Sequence, residues 1–245
     1  NLGCGSVHPE ALARCVTENG LDMGFAFDGD GDRCVCVDET GRILSGDHIL
    51  YACARYLSPR GELDKNTIVA TVMSNGGLFS SLQNLGVNGE KTRVGDRFVY
   101  EKMLETGATL GGEPSGHIIF SRYATTGDGI LTAIKLTEMA VENKCKFSLL
   151  FEGMESYPQA VVNVKVKNKT GALNSLAVAF AAADAEECLK EKGGRLLLRP
   201  SGTESVVRIL TESEDEKLCR ETAEYLKGVL ERADRDFSEK EGGKK

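Results

Sequence analysis

The chain has 245 residues, 41% of them hydrophobic and 27% charged, with a formal net charge of −7. That length suits two or more domains, and no apolar run is long enough to span a bilayer. The acidic balance argues against nucleic acid as a partner, while a small phosphorylated ligand needs only a local pocket.

The opening Asn1-Leu2-Gly3-Cys4-Gly5 has no basic-then-apolar leader, and it reads as the middle of a domain, so a fragment is expected. Eight cysteines at 4, 15, 34, 36, 53, 145, 188 and 219 form no C-x-x-C pair. They read as small buried apolar residues of a reducing cytoplasm.

In chain order, His8-Pro9-Glu10 opens a helix with Leu12, Cys15 and Val16 on one face, and Asn19-Gly20 ends it. A buried strand over 23–27 leads to Asp28-Gly29-Asp30-Gly31-Asp32-Arg33. A second strand over 34–37 turns back through 39–42 into Ile43-Leu44. Asp47 then reads as the N-cap of a helix carrying Ile49, Leu50, Cys53 and Leu57. A domain boundary is placed near residue 44.

A new α/β unit follows, with strands at 67–73, 90–94, 109–111 and 118–120. Its helices run from Ser74-Asn75-Gly76-Gly77 to Leu85, from Arg97 to Glu105 with Asp96 as cap, and from about 130 to 142. Residues 144–157 read as a linker ending at Tyr157-Pro158. A strand at 161–166, a helix at 174–192 closed by Gly194, strands at 195–199 and 206–210, and a long helix at 215–237 complete a β-α-β-β-α pattern. The last residues, from 239, read as a frayed tail. The fold expected is α/β: mixed-sheet α/β domains followed by a smaller α+β domain.

Three glycine-bearing loops hold the candidate chemistry. Asp28, Asp30 and Asp32 repel one another unless a cation offsets them, and oxygen-only ligands suit Mg²⁺ or Ca²⁺. A solvated acidic turn is the alternative. An EF-hand is a further one, since Glu39 falls at its position 12, but Arg33 occupies position 6 where glycine is needed and the flanks read as strands. Glu113, Ser115 and His117 offer a carboxylate, a hydroxyl and an imidazole suited to sugar hydroxyls and proton transfer; ordinary loop residues with a packed His117 are the alternative. Arg199, Ser201, Gly202 and Thr203, with Arg208 on the neighbouring strand, suit a phosphate; a plain hairpin turn is the alternative.

The order of Asp28-Gly29-Asp30-Gly31-Asp32-Arg33, Gly112-Glu113-Pro114-Ser115-Gly116-His117 and Arg199-Pro200-Ser201-Gly202-Thr203-Glu204 resembles the metal, sugar and phosphate loops of the α-D-phosphohexomutase superfamily. Thr71-Val72-Met73-Ser74-Asn75, Val94-Gly95-Asp96-Arg97 and Thr125-Thr126-Gly127-Asp128-Gly129 resemble its glucosamine-phosphate branch, although Pro114 stands where that branch commonly has Gln. The resemblance implies the end of domain 2 over 1–44, domain 3 over 45–150 and domain 4 over 158–238.

It also implies a cytoplasmic intramolecular phosphotransferase, an isomerase of amino-sugar metabolism feeding UDP-N-acetylglucosamine and cell-wall synthesis. Glucosamine 6-phosphate and glucosamine 1-phosphate would interconvert through the 1,6-bisphosphate and a phosphoserine. By this resemblance Asp28, Asp30 and Asp32 hold Mg²⁺, Arg33 stabilises the transferring group and His117 aids proton transfer. Glu113 and Ser115 bind the sugar, and Arg199, Ser201, Gly202 and Thr203, assisted by Arg208, bind the phosphate. No Ser-His-Asn-Pro stretch occurs in the chain, so this chain alone is expected to be inactive. A phosphomannomutase/phosphoglucomutase and a non-catalytic sugar-phosphate binder stay open, as does a homodimer.

Overall fold

The computed structural model describes residues 2–201 and 204–242, the last six as backbone only. Residues 1–155 form one compact unit and 156–245 a second. Both mix helices and sheet, as the α/β reading expects.

In the first unit, α1 (Glu10–Asn19) precedes the antiparallel sheet β1 (Met23–Phe27), β2 (Cys34–Asp38) and β3 (Ile43–Leu44), in the order β1-β2-β3. Every residue of β2 is buried, because α1 and the later helix α5 (Gly129–Asn143) both pack against this sheet. The aspartate loop is the connection between β1 and β2 and so emerges from a rigid base.

Helix α2 (Gly46–Leu57) leads into a second sheet. It comprises β4 (Thr67–Thr71), β5 (Asn88–Thr92), β6 (Leu110–Gly112) and β7 (Ile118–Phe120), ordered β5-β4-β6-β7. The β4 pairings with β5 and β6 are parallel, and β6–β7 is antiparallel. Helix α3 (Gly76–Asn84) crosses from β4 to β5, and α4 (Asp96–Thr106) from β5 to β6. One face of the sheet packs Ile68, Leu110 and Ile118 against Ile49, Leu50, Leu78 and Leu136. The other packs Val69 and Ile119 against Val99 and Met103 of α4. Burial on both faces explains why β4, β6 and β7 read as short apolar runs, whereas the edge strand β5 is polar and mostly exposed.

Several local expectations are corrected. Ser45, not Asp47, is the N-cap of α2, and His48 completes a capping box with it. Asp47 is 4% exposed, and its Oδ2 accepts the Asn75 N–H at 2.8 Å, tying α2 to the entry of α3. Gly95, not Asp96, caps α4. Strand β4 stops at Thr71, and β5 runs Asn88–Thr92, two residues earlier than the expected 90–94, in parallel register from Thr67. The supposed linker is folded: a 3₁₀ turn over Phe147–Phe151 buries both phenylalanines, which stack edge to face. Cys34, Cys36, Cys53 and Cys219 are buried as expected, but Cys4, Cys15 and Cys188 are exposed.

The second unit contains β8 (Gln159–Lys165), α6 (Lys169–Leu173), α7 (Leu176–Lys190), β9 (Arg195–Pro200), β10 (Val206–Glu212) and α8 (Glu216–Gly242). The helix expected over 174–192 is α7, which begins where Ser175 accepts the Val178 N–H, and the short α6 before it was not expected. Helix α8 continues through part of the stretch read as frayed. The antiparallel sheet runs β8-β10-β9, with α7 and α8 burying Val178, Ala181, Leu226 and Leu230 against Val164, Val207 and Ile209. At one end of this sheet the Glu212 carboxylate accepts from Arg195 Nε at 2.8 Å and Gln159 Nε2 at 2.5 Å. That cross-strand set joins all three strands. Among the described residues no helix is long and apolar enough to cross a membrane.

Candidate functional site

In the first unit, the loop after β1 folds back on itself. Asp28 Oδ1 accepts the Arg33 N–H at 3.1 Å, and Gly31, at φ +74°, supplies the left-handed turn that L-residues rarely adopt. Arg33 Nε lies 3.4 Å from Asp28 Oδ2 and 3.9 Å from Asp32 Oδ1. Asp28, Asp30 and Asp32 each bring a carboxylate oxygen within 4.8 Å of the others.

Burial and its bond to Asp28 push the Asp32 carboxyl up. Burial acts the same way on Asp28, but the Arg33 amide and the Asp32 side chain outweigh it and hold Asp28 low. Asp32 Oδ1 is buried and accepts no hydrogen bond, an orphaned oxygen in the middle of an all-oxygen donor set. Those residues fit a hard divalent cation.

The second loop, between β6 and β7, is lashed to the first. Cys34 N–H donates to Gly116 O at 3.0 Å, and Arg33 and His117 form an isolated antiparallel bridge. A Cβ at Gly116, where φ is +91°, would lie 2.2 Å from Cys34 O. Gly46 N–H donates to Pro114 O at 3.0 Å. That contact uses a carbonyl, so the proline at 114 leaves it intact. The 125–129 stretch at the start of α5 closes the cluster, with Gly129 N–H donating to Gly31 O at 2.9 Å.

His117 sits at the junction and is 3% exposed. Its Nε2 accepts the Gly127 N–H at 3.0 Å, which leaves the proton on Nδ1, 3.0 Å from Asp32 Oδ2. Both ring nitrogens are therefore engaged within the protein. Glu113 Oε1 accepts the Gly95 N–H at 3.0 Å, so its carboxylate is aimed by the loop after β5. Ser115 is exposed.

Sequence reasoning gave Gly95 and Gly127 no role. Both act through backbone amides, and their only signal was membership in the short motifs 94–97 and 125–129.

In the second unit, the connection between β9 and β10 carries the third set. Arg199 and Arg208 are direct cross-strand partners, which brings two guanidinium-bearing residues side by side. Arg208 pairs with Glu204 at 3.4 Å, and its Nε is buried with no hydrogen-bond partner. Among the described residues Arg199 forms no ion pair. Ser201 is buried and its Oγ accepts the Glu204 N–H at 3.2 Å. Gly202 and Thr203 lie outside the described residues.

Two family models match the chain. Residues 45–157 match the phosphoglucomutase/phosphomannomutase alpha/beta/alpha domain III, and 161–228 match the C-terminal domain of the same family. The phosphoglucosamine mutase of Lachnoclostridium phytofermentans is 48% identical over 94% of this chain, and that of Lactiplantibacillus plantarum is also 48% identical over 94%. In both, the match covers 51% of the relative, so the chain spans about half the length of the curated relatives it matches.

Among solved structures, a phosphoglucomutase/phosphomannomutase family protein from Burkholderia thailandensis is 26% identical, with a TM-score of 0.73 over 94% of this chain and 51% of that one. Aspergillus fumigatus N-acetylphosphoglucosamine mutase, in complex with GlcNAc-6P and magnesium, is 18% identical. Its TM-score is 0.76 over 95% of this chain and 53% of that one, a likeness of fold.

Proposed function

The chain belongs to the phosphoglucomutase/phosphomannomutase family, and from that premise we propose that it is the metal-, sugar- and phosphate-binding part of a phosphoglucosamine mutase. The 1–44 stretch would be the end of domain 2, 45–150 domain 3 and 158–238 domain 4. The protein would work in the cytoplasm on glucosamine 6-phosphate and glucosamine 1-phosphate.

The observation that carries the reading is the joining of the Asp28–Arg33 loop to the Glu113–His117 loop by the Arg33–His117 bridge and the Asp32–His117 hydrogen bond. A carboxylate cation site and a sugar-hydroxyl site are thereby held in one frame, as phosphoryl transfer to a sugar oxygen requires.

Asp28, Asp30 and Asp32 would hold Mg²⁺. Bound there, the ion offsets negative charge on the transferring phosphoryl group. Arg33 would contribute its guanidinium to that same group. Glu113, aimed by Gly95, and exposed Ser115 would take sugar hydroxyls. His117 would hold Asp32 in place and keep its carboxylate turned to the cation. Arg199, Ser201, Gly202 and Thr203, with Arg208, would grip the phosphate not in transfer.

The phosphoryl group would pass from a serine oxygen to O1 of glucosamine 6-phosphate, giving the 1,6-bisphosphate. After the sugar turns over, its 6-phosphoryl returns to the serine and glucosamine 1-phosphate leaves. Residues 1–245 contain no Ser-His-Asn-Pro context for that serine, so no turnover is expected from this chain alone.

³¹P NMR of the chain titrated with glucosamine, glucose and mannose 6-phosphates, with and without Mg²⁺, tests the reading. Selective shifts with glucosamine 6-phosphate are expected. Equal response to all three removes the amino-sugar assignment, and none at all removes the binding assignment.

A further inference from the structure

Lys169 lies in none of the motif loops, yet it reaches the mouth of the connection between β9 and β10. Its Nζ donates to the carbonyl of Ser201 at 2.7 Å and to that of Glu204 at 2.9 Å. Those residues flank 202–203, so one ammonium holds both ends of the loop.

The lysine is itself held firmly. It is the first residue of α6, whose N-cap Asn168 accepts the Gly171 N–H at 2.8 Å and whose Ala172 is fully buried. The Asp234 carboxylate on α8 accepts from the Lys167 amide at 2.9 and 3.0 Å and from the Asn168 amide at 3.0 Å. The backbone from which the Lys169 side chain projects is therefore anchored by the helix layer.

We propose that Lys169 is a positioning residue for anion binding by this loop. An ammonium has three donors and no acceptor, and two of the donors are spent on carbonyls. Drawing the carbonyls of Ser201 and Glu204 to itself turns the negative ends of those peptide dipoles away from an incoming phosphate. Its charge also adds to that of Arg199 and Arg208 on the flanking strands. Arg199 and Arg208 can then meet a phosphate without competition from those two oxygens. The proposal rests on the phosphate-site reading of residues 199–208.

The test compares the unsubstituted chain with Lys169→Met, Lys169→Gln and Lys169→Arg. Glucosamine 6-phosphate binding is followed by ³¹P NMR, and hydrogen exchange at the Glu204 amide is followed without ligand. In Lys169→Met the affinity should fall about tenfold or more, as for a lost charge-assisted bond, and Glu204 exchange should quicken. Lys169→Arg should recover affinity to within about threefold, because it restores both donors and charge. Should Lys169→Met not fold, Lys169→Gln carries the comparison.

Faster exchange at Glu204 with undiminished affinity makes Lys169 a hairpin staple only and overturns the proposal. Failure of the unsubstituted chain to bind sinks the phosphate reading itself, and the proposal with it.

Discussion

His117 and Asp32, 85 residues apart in sequence, share a 3.0 Å contact in which imidazole Nδ1 faces carboxylate Oδ2, while Gly127 N–H fixes the opposite ring nitrogen. A buried ring anchored on both sides orients a carboxylate more firmly than solvent can. Groups that orient ligating carboxylates are typically worth about 10–100-fold in metal affinity. His117→Ala should therefore weaken Mn²⁺ or Mg²⁺ binding by about tenfold, as measured by water-proton relaxation or calorimetry. His117→Asn, whose amide can replace Nδ1–H, should recover most of it. Unchanged cation affinity in His117→Ala would remove the holding role.

Asp28, Asp30 and Asp32 bring carboxylate oxygens within 4.8 Å of one another, three negative charges that Arg33 alone only partly offsets. A ligand that binds the folded state stabilises it by mass action, about 2.7 kcal/mol at one hundred times its dissociation constant. Mg²⁺ should raise the unfolding temperature of the first unit in scanning calorimetry. Asp32→Asn should unfold at an equal or higher temperature without Mg²⁺, since repulsion is relieved, and should lose the response to added Mg²⁺. A full Mg²⁺ response in Asp32→Asn would show that the cation binds elsewhere.

How much of this was legible in the sequence follows from the range of each interaction. Asp28, Gly31 and Asp32 were readable because carboxylate crowding and a left-handed turn are local properties. The same holds for the β-α-β-β-α order of the second unit, set by local periodicity, apart from α6, whose five residues are too short to show a period. Gly95 was not readable as the residue that aims Glu113, because its contribution is an amide that meets its partner only after β5 and β6 have both paired with β4. Lys169 was hidden for the same reason, since 32 residues separate it from Ser201. Asp47 misled as a cap because an Asp near a helix start usually serves one. Here Ser45 is better placed, and Asp47 is drawn inward by the Asn75 amide. The Phe147–Phe151 turn read as a linker because a single 3₁₀ turn is too short to establish a period.

His48 gives the first unit a pH dependence of definite sign. Burial, reinforced by Arg42 and opposed by Asp38, lowers it to about 4 from an ordinary 6.5. Its Nδ1 accepts the Ser45 N–H at 3.3 Å, an acceptor lost on protonation. Because the unfolded chain takes up this proton first, His48 adds full stability above about pH 6.5. That contribution falls as pH drops towards 4 and is flat below, a span on the order of 3 kcal/mol. Chemical denaturation between pH 4 and 7 should show the slope. His48→Gln, which can still close a capping box, should flatten it. Identical profiles for the two proteins would exclude His48 as the source.

Arg199 and Arg208 face each other across β9 and β10, and Glu204 answers only Arg208 among the described residues. Like charges in a direct cross-strand pair are destabilising, by about 0.2–1 kcal/mol. Arg199→Gln should therefore leave the second unit slightly more stable in low-salt buffer free of phosphate, and high salt should shrink that gain as it screens the repulsion. In phosphate or glucosamine 6-phosphate the order should reverse, because the unsubstituted chain gains stability from the bound anion and the variant does not. The crossing of the two unfolding curves with added ligand is the diagnostic result. If Arg199→Gln is less stable under every condition, the guanidinium is an ordinary structural side chain and the cross-strand pair is not an anion site held in readiness.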